Sequence, residues 1–190
     1  MFDSDQSFNQ TDFTEQDLSG SEFDTCQFHD CNFARVNLTD VKFIECVFEN
    51  CDLSLATLNN TALRDCRFTN CKLLGLRFDE CNAFGFEIAF DGGILDVASF
   101  FKLSLKKMHF KNLRLHGTDF TESDLTEAVF ENCDLQDAIF DQTNLEKADF
   151  RTSVNYSIHP ETNRIRDAKF SASGISGLLE RYDIEIDFGG

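Results

Sequence analysis

The sequence predicts an all-β solenoid, a four-walled coil of about eight turns with its apolar side chains inside. Three observations predict it. First, Phe or Leu fills every fifth position from Phe8 to Phe78 and again from Phe90 to Phe150, fifteen and thirteen positions without exception. Neither a helix nor a flat strand has that period, so the chain turns a corner every five residues. Second, Cys26, Cys46 and Cys66 are spaced by twenty, as are Cys31, Cys51 and Cys71. Five inside twenty means four corners per turn, with residues twenty apart stacked at the strand spacing of roughly 4.8 Å. Third, Phe and Leu alternate strictly from Phe90 to Phe150. That places Phe90, Phe110, Phe130 and Phe150 in one column and Phe100, Phe120 and Phe140 in the column opposite, where offset stacking is favourable.

In most groups of five, the residue two before the centre is small or β-branched, as at Ser21, Val36, Ala56, Thr61, Ala98, Thr118 and Ala128. One large and one small side chain then fill each wall of the tube. Asp or Asn recurs just before the centre, at Asp12, Asp17, Asn32, Asn37, Asp52, Asp119, Asp124, Asp134, Asn144 and Asp149. The other positions are mostly polar and face out.

The first block, to Phe78, is followed by a slip over residues 79–89. There Ala83 replaces a centre and two extra residues precede Phe90, with Asp91-Gly92-Gly93 after it. A bulge between two stacked halves is expected. The second block ends at Phe150. An excursion over 152–167 holds Pro160, the one proline, and Phe170, twenty beyond Phe150, closes one more coil. In the tail, Ile175, Leu178, Leu179 and Tyr182 form a helical stripe with Ser171 or Ser173 as its N-cap. Ile184, Ile186 and Phe188 alternate as a short strand. The coil is expected over residues 1–170 and a capping or dimerisation segment over 171–190, because a solenoid must cover its open end. The candidate dimer seam is Ile175, Leu178, Leu179, Tyr182, Ile184 and Ile186.

The 190 residues carry a net charge of −17. That disfavours nucleic acid and anionic membranes as partners and favours a basic protein surface. No basic-then-apolar leader and no long apolar run is present, so a cytoplasmic protein is expected. All eight Cys fall on small inward positions and read as buried, reduced thiols. They lack the short knuckles of zinc sites. His29, His109, His116 and His159 are scattered, and Asp91-Gly92-Gly93 lacks the lysine and glycine spacing of a phosphate loop. No catalytic residue, metal or cofactor is expected, and the reading is of a protein that is not an enzyme.

The charge map is uneven. Residues 1–34 hold eight acids and residues 119–146 nine, and neither stretch has Lys or Arg. Between them Lys102, Lys106, Lys107, Lys111 and Arg114 form a basic girdle. The candidate partner-binding carboxylates are Asp12, Asp17 and Glu22 at one end. At the other they are Asp119, Glu122, Asp124, Glu127, Glu131, Asp134, Asp137, Asp141 and Glu146. About eight coils make a rod on the order of 40 Å long. Duplex DNA of that length carries about 23 charges, at one per ~1.7 Å.

The segments Thr11-Asp12-Phe13-Thr14, Ser123-Asp124-Leu125-Thr126 and Ala148-Asp149-Phe150-Arg151 resemble the pentapeptide-repeat family over about residues 6–150. That resemblance implies a right-handed quadrilateral β-helix. Glycine, frequent at the family's fifth position, is rare here. The tail Leu178-Leu179-Glu180-Arg181-Tyr182-Asp183-Ile184-Glu185-Ile186 is similar to that of the quinolone-resistance (Qnr-type) members. Those are rod-shaped dimers that imitate DNA and bind DNA gyrase or topoisomerase IV. The resemblance implies a DNA-mimicking homodimer with a topoisomerase-like partner. Their longer projecting loops have no counterpart beyond the slip at 79–89. The alternative is a structural or scaffolding module with another protein partner.

Overall fold

A computed structural model describes residues 2–182 together with Ile184, Glu185 and Asp187. Strands of mostly three residues pair in parallel, each coil laid on the one before. Six of them build the longest sheet: Ser7–Asn9, Gln27–His29, Val47–Glu49, Cys66–Lys72, Ile88–Ile94 and Leu113–Arg114. Phe2–Ser4, Glu22–Asp24, Lys42–Ile44 and Ala62–Arg64 form a second sheet. His109–Lys111 and Val129–Glu131 pair as a third. Register follows the period of twenty, with Phe8 opposite Phe28, Phe28 opposite Phe48 and Phe48 opposite Phe68.

The lattice side chains fill the tube. All twenty-eight are buried except Phe8, which is half-buried in the first coil. The phenylalanines stack in columns, with Phe110, Phe130 and Phe150 at centroid separations of 4.6 Å. Opposite columns meet edge-on, as Phe120 meets Phe130 at 5.8 Å. The column from Phe8 continues to Phe170, which stacks on Phe150 at 5.5 Å. The small inward residues are buried beside them. They also satisfy the backbone: Thr61, Thr118 and Thr143 donate their hydroxyls to the carbonyls of Leu38, Leu95 and Phe120, at 2.7, 2.9 and 2.8 Å. The cysteine thiols do the same, as Cys46 Sγ does toward Phe23 O at 3.4 Å.

The corners explain why glycine is dispensable. The residue two after the centre has positive φ at almost every corner, and most of these residues are not glycine. Asp, Asn, Glu and Lys dominate there, and Asp and Asn tolerate this conformation best. One corner column interleaves sizes: the Leu55 side chain lies 2.7 Å from where a Cβ on Gly75 would be, and Val97 sits 3.2 Å from the same point on Gly117.

The slip adds its two residues between Glu80 and Ile88. Asn82 N–H still donates to Thr61 O twenty-one residues back, as Ala62 N–H does to Val41 O, whereas Cys66 pairs with Ile88, and Phe68 with Phe90, twenty-two residues on. Apolar residues alternate in the slip at Phe84, Phe86, Ile88 and Phe90, but Phe84 does not turn inward. Phe84 is 77% exposed, with the Arg64 guanidinium 5.1 Å from its ring centre. Gly93, at φ 122°, lies against the Cys71 carbonyl.

The stretch 152–167 stays in register instead of leaving the coil: Val154 bridges to Asp134 and Arg164 to Asn144, twenty apart. Tyr156 and Ile158 supply its buried side chains. The tail is a pair of 3₁₀ segments, Ala172–Leu178 and Glu180–Tyr182, and not an α-helix. Ser171 is its N-cap, accepting from Gly174 N–H at 3.1 Å. Gly174 and Gly177 explain the tighter form. Both weaken an α-helix, and both lie so close to Tyr156 that an added Cβ would overlap it. The Gly177 carbonyl also accepts from Ile158 N–H at 2.8 Å, fixing the segment on the last coil. The strand expected through Ile186 and Phe188 falls largely outside the described residues. Ile184 and Glu185 are described and carry no strand.

Candidate functional site

The acidic surface divides into three groups by what its carboxylates do. The first group builds corners. At every Asp or Asn that precedes a centre, the side-chain oxygen accepts the N–H two residues later, as Thr14 N–H donates to Asp12 at 3.0 Å and Thr121 N–H to Asp119 at 2.8 Å. Asp17, Asp124 and Asp134 make the same local turn. Backbone and hydroxyl donation from Thr14 holds the Asp12 carboxyl below the usual carboxylate range. Five of the twelve carboxylates expected to bind a partner are therefore also part of the corner chemistry.

The second group ties coils together. Every residue of the basic girdle is paired. Lys102 reaches Glu122 at 3.4 Å, Lys106 reaches Asp124 at 3.2 Å, and Lys107 reaches Glu127 at 3.9 Å. Lys111 and Arg114 turn the other way, to Asp91 at 3.0 Å and Asp96 at 2.6 Å. His109 meets Glu131 at 2.7 Å, His116 meets Asp134 at 2.8 Å, and Arg164 meets Glu146 at 2.8 Å. The girdle thus offsets three of the nine acids at 119–146, Glu122, Asp124 and Glu127. Among the described residues of that stretch, Asp119, Asp137 and Asp141 remain outside ion pairs, and Glu131 and Asp134 pair only with histidines, which neutralise them only when protonated.

The third group is the first coils. Of the eight acids in residues 1–34, Glu22 is paired, with Lys42 at 2.9 Å. Asp3, Asp5, Asp12, Glu15, Asp17, Asp24 and Asp30 form no ion pair in the described chain. The densest unneutralised charge is therefore at the N-terminal end of the coil. Asp3, Asp5, Glu15, Asp24 and Asp30 belong with Asp12 and Asp17 as its carriers. Most of the inter-coil pairs lie eighteen to twenty-two residues apart, so a charge map folded at the coil period would have separated these groups.

The thiols and imidazoles do not converge. Seven Cys are buried, Cys81 is half-buried, and all eight are free. Burial pushes the Cys46 and Cys81 thiols up to about 12 and Cys133 to about 11. Contact with Cys71, together with burial, also pushes Cys51 up. No group of His, Cys, Asp and Glu able to hold a metal ion occurs among the described residues. No helix among them is long and apolar enough to cross a membrane.

At the other end, the expected dimer residues separate. Leu178 is buried and Leu179 packs on the core, so both belong to the cap. Ile175, Tyr182 and Ile184 are 43%, 46% and 55% exposed. Tyr182 donates its hydroxyl to Glu161 at 2.8 Å. Ile186 lies outside the described residues. An open groove of about 780 Å³ runs between the cap and the flank of the last coils, lined by Asp137, Asn155, Tyr156, Ser171, Gly174 and Ile184.

No curated protein matches the sequence. Two solved structures are similar in fold. HetL, a pentapeptide-repeat protein involved in heterocyst differentiation regulation from the cyanobacterium Nostoc sp. strain PCC 7120, is 18% identical with a TM-score of 0.64, covering 88% of this chain and 86% of its own. A trypsin-treated variant of QnrB1, a plasmid-mediated fluoroquinolone resistance protein, is 26% identical with a TM-score of 0.52, covering 97% of this chain and 90% of its own. The family model for pentapeptide repeats matches in eight copies over residues 4–33, 31–70 and 114–151. With its right-handed quadrilateral β-helix, the chain belongs to the pentapeptide-repeat family.

Proposed function

We propose that this chain is a non-enzymatic interaction protein whose acidic coil occupies a basic, DNA-binding protein surface in place of the duplex. The prime target is the DNA-binding saddle of DNA gyrase or topoisomerase IV, which sets its action in the cytoplasm. One observation carries the reading: seven carboxylates without counter-ions cluster on the first coils of a stiff rod of duplex-like charge and length. Such a field steers association with a basic surface and repels polyanions. The fold likeness to the resistance protein QnrB1 supports the choice of target. The exposed Ile175, Tyr182 and Ile184 support a two-fold seam through the C-terminal segment, which would double the length of the rod.

Purified protein is expected to inhibit gyrase supercoiling at micromolar concentration, and added salt to weaken that effect. Full supercoiling activity at that concentration removes the target. A pull-down from cell extract then separates it from the second reading, a scaffolding module with a different protein partner. For the seam, Ile175→Asp is expected to halve the mass in solution while leaving the fold intact. A monomeric wild-type protein would refute it.

A further inference from the structure

We infer that the first coil closes its own free edge, so that two rods do not join through their N-terminal ends. This inference stands apart from the partner-binding reading. In every interior coil, certain carbonyls accept a backbone N–H from the coil before. Asp24 O accepts from Asp5 N–H at 3.0 Å, His29 O from Gln10 N–H at 2.9 Å, and Asn32 O from Phe13 N–H at 2.9 Å. One period earlier the equivalent carbonyls belong to Ser4, Asn9 and Asp12, and no described coil lies above them. Each accepts a side chain, and at Ser4 and Asn9 that bond is the one interior coils also make, from Cys26 Sγ to Asp24 O at 3.4 Å and from Cys31 Sγ to His29 O at 3.3 Å, but here it stands in for the missing backbone donor. Gln6 Nε2 donates to Ser4 O at 3.1 Å, Thr11 Oγ1 to Asn9 O at 3.3 Å, and Gln16 Nε2 to Asp12 O at 3.2 Å.

These three donors sit at the small inward position of their walls. In the next coil that position holds Cys26, Cys31 and Val36, all buried. A long amide there has no room inside a continuing tube, but at a free edge it folds back onto its own backbone. Asp3 completes the closure. It stands opposite Phe23, one period before it in the column Phe23, Phe43, Leu63. Its Oδ2 is shielded from solvent without a hydrogen-bond partner. A second rod stacked on this end would bury that carboxylate over aromatic rings, at a high desolvation cost. Exposed edge strands otherwise invite pairing, and Phe2, 64% exposed, and half-buried Phe8 would reward it. The closure therefore leaves the C-terminal end as the one open to self-association.

The test is solution mass by sedimentation at about 1 M salt, where charge repulsion is screened to ~3 Å. The variant carries Gln6→Ala, Thr11→Ala, Gln16→Ala and Asp3→Phe in the Ile175→Asp background, which takes the C-terminal seam out of play. A mass that rises with concentration to at least twice that of the same background with the first coil intact is the expected result. The smaller change Gln6→Ala, Gln16→Ala and Asp3→Ala removes the amides and the carboxylate without adding bulk, so it serves if the larger variant does not fold, and the same rise is expected of it. Masses equal to the background's for a folded variant overturn the inference. So does end-joining of the unaltered first coil under the same salt, since charge alone would then have kept the ends apart.

Discussion

Phe130 has no exposed surface and stacks between Phe110 and Phe150. Replacing it with Ala removes both stacking partners' contact and leaves a void that the rigid tube cannot collapse. Phe130→Ala is predicted to cost about 3–5 kcal/mol in equilibrium unfolding. A shift well below that range would mean that the column relaxes around the gap. Burial at this scale was legible in the sequence because each lattice position sees the same surroundings once per corner. The double role of the aspartates was not. Asp12 and Asp124 read as surface charge in a one-dimensional map, yet each one's Oδ1 accepts the N–H two residues on and fixes a corner. The recurrence of Asp or Asn at one position in five was the available sign.

Among the elements, the slip depends on its glycines. Gly93 adopts a φ of 122°, which L side chains rarely reach, and a Cβ there would collide with the backbone of Cys71. Gly93→Ala is predicted to destabilise the coil by more than about 2 kcal/mol, read as a lower denaturation midpoint. An unchanged midpoint would show that the two halves of the stack do not depend on this bend. The sequence located the slip but not the direction of Phe84, because an alternating apolar run has no built-in inside when its strand has left the lattice. The tail misled for a related reason. Spacing of Ile175, Leu178, Leu179 and Tyr182 matched an α-helix, while Gly174 and Gly177 were recording a close approach to Tyr156 that only the packed coil reveals.

For the whole molecule, inter-coil ion pairs and corner turns share a dependence on ionised carboxylates. Burial alone would raise the Asp52, Asp79, Asp124 and Asp134 carboxyls, but hydrogen bonds and neighbouring cations outweigh it and hold all four below 3.8. Asp149 is held down first by its hydrogen bond from Arg151. A depressed carboxyl contributes stability above its unfolded value and loses it as pH falls through the folded one. Thermal stability is therefore predicted to fall below about pH 4 at ~0.15 M salt, where relief of long-range repulsion is largely screened. A melting midpoint that holds or rises on acidification would contradict this.

The same accounting puts the proposed interaction surface on the first coils, because Lys102, Lys106 and Lys107 pair with Glu122, Asp124 and Glu127 of the far stretch while residues 1–34 contain no Lys or Arg. Asp→Asn changes at Asp12, Asp17, Asp24 and Asp30 remove charge, and at Asp12 and Asp17 they keep a side-chain oxygen for the corner. The most direct measurement is displacement of a fluorescent DNA duplex from gyrase, followed by anisotropy, for the native chain and for this fourfold variant. The native chain should displace the duplex, and the variant should do so at least about tenfold more weakly, on the order of 1.4 kcal/mol. Equal displacement by both proteins, or none by the native chain, would contradict an acidic rod that takes the place of DNA.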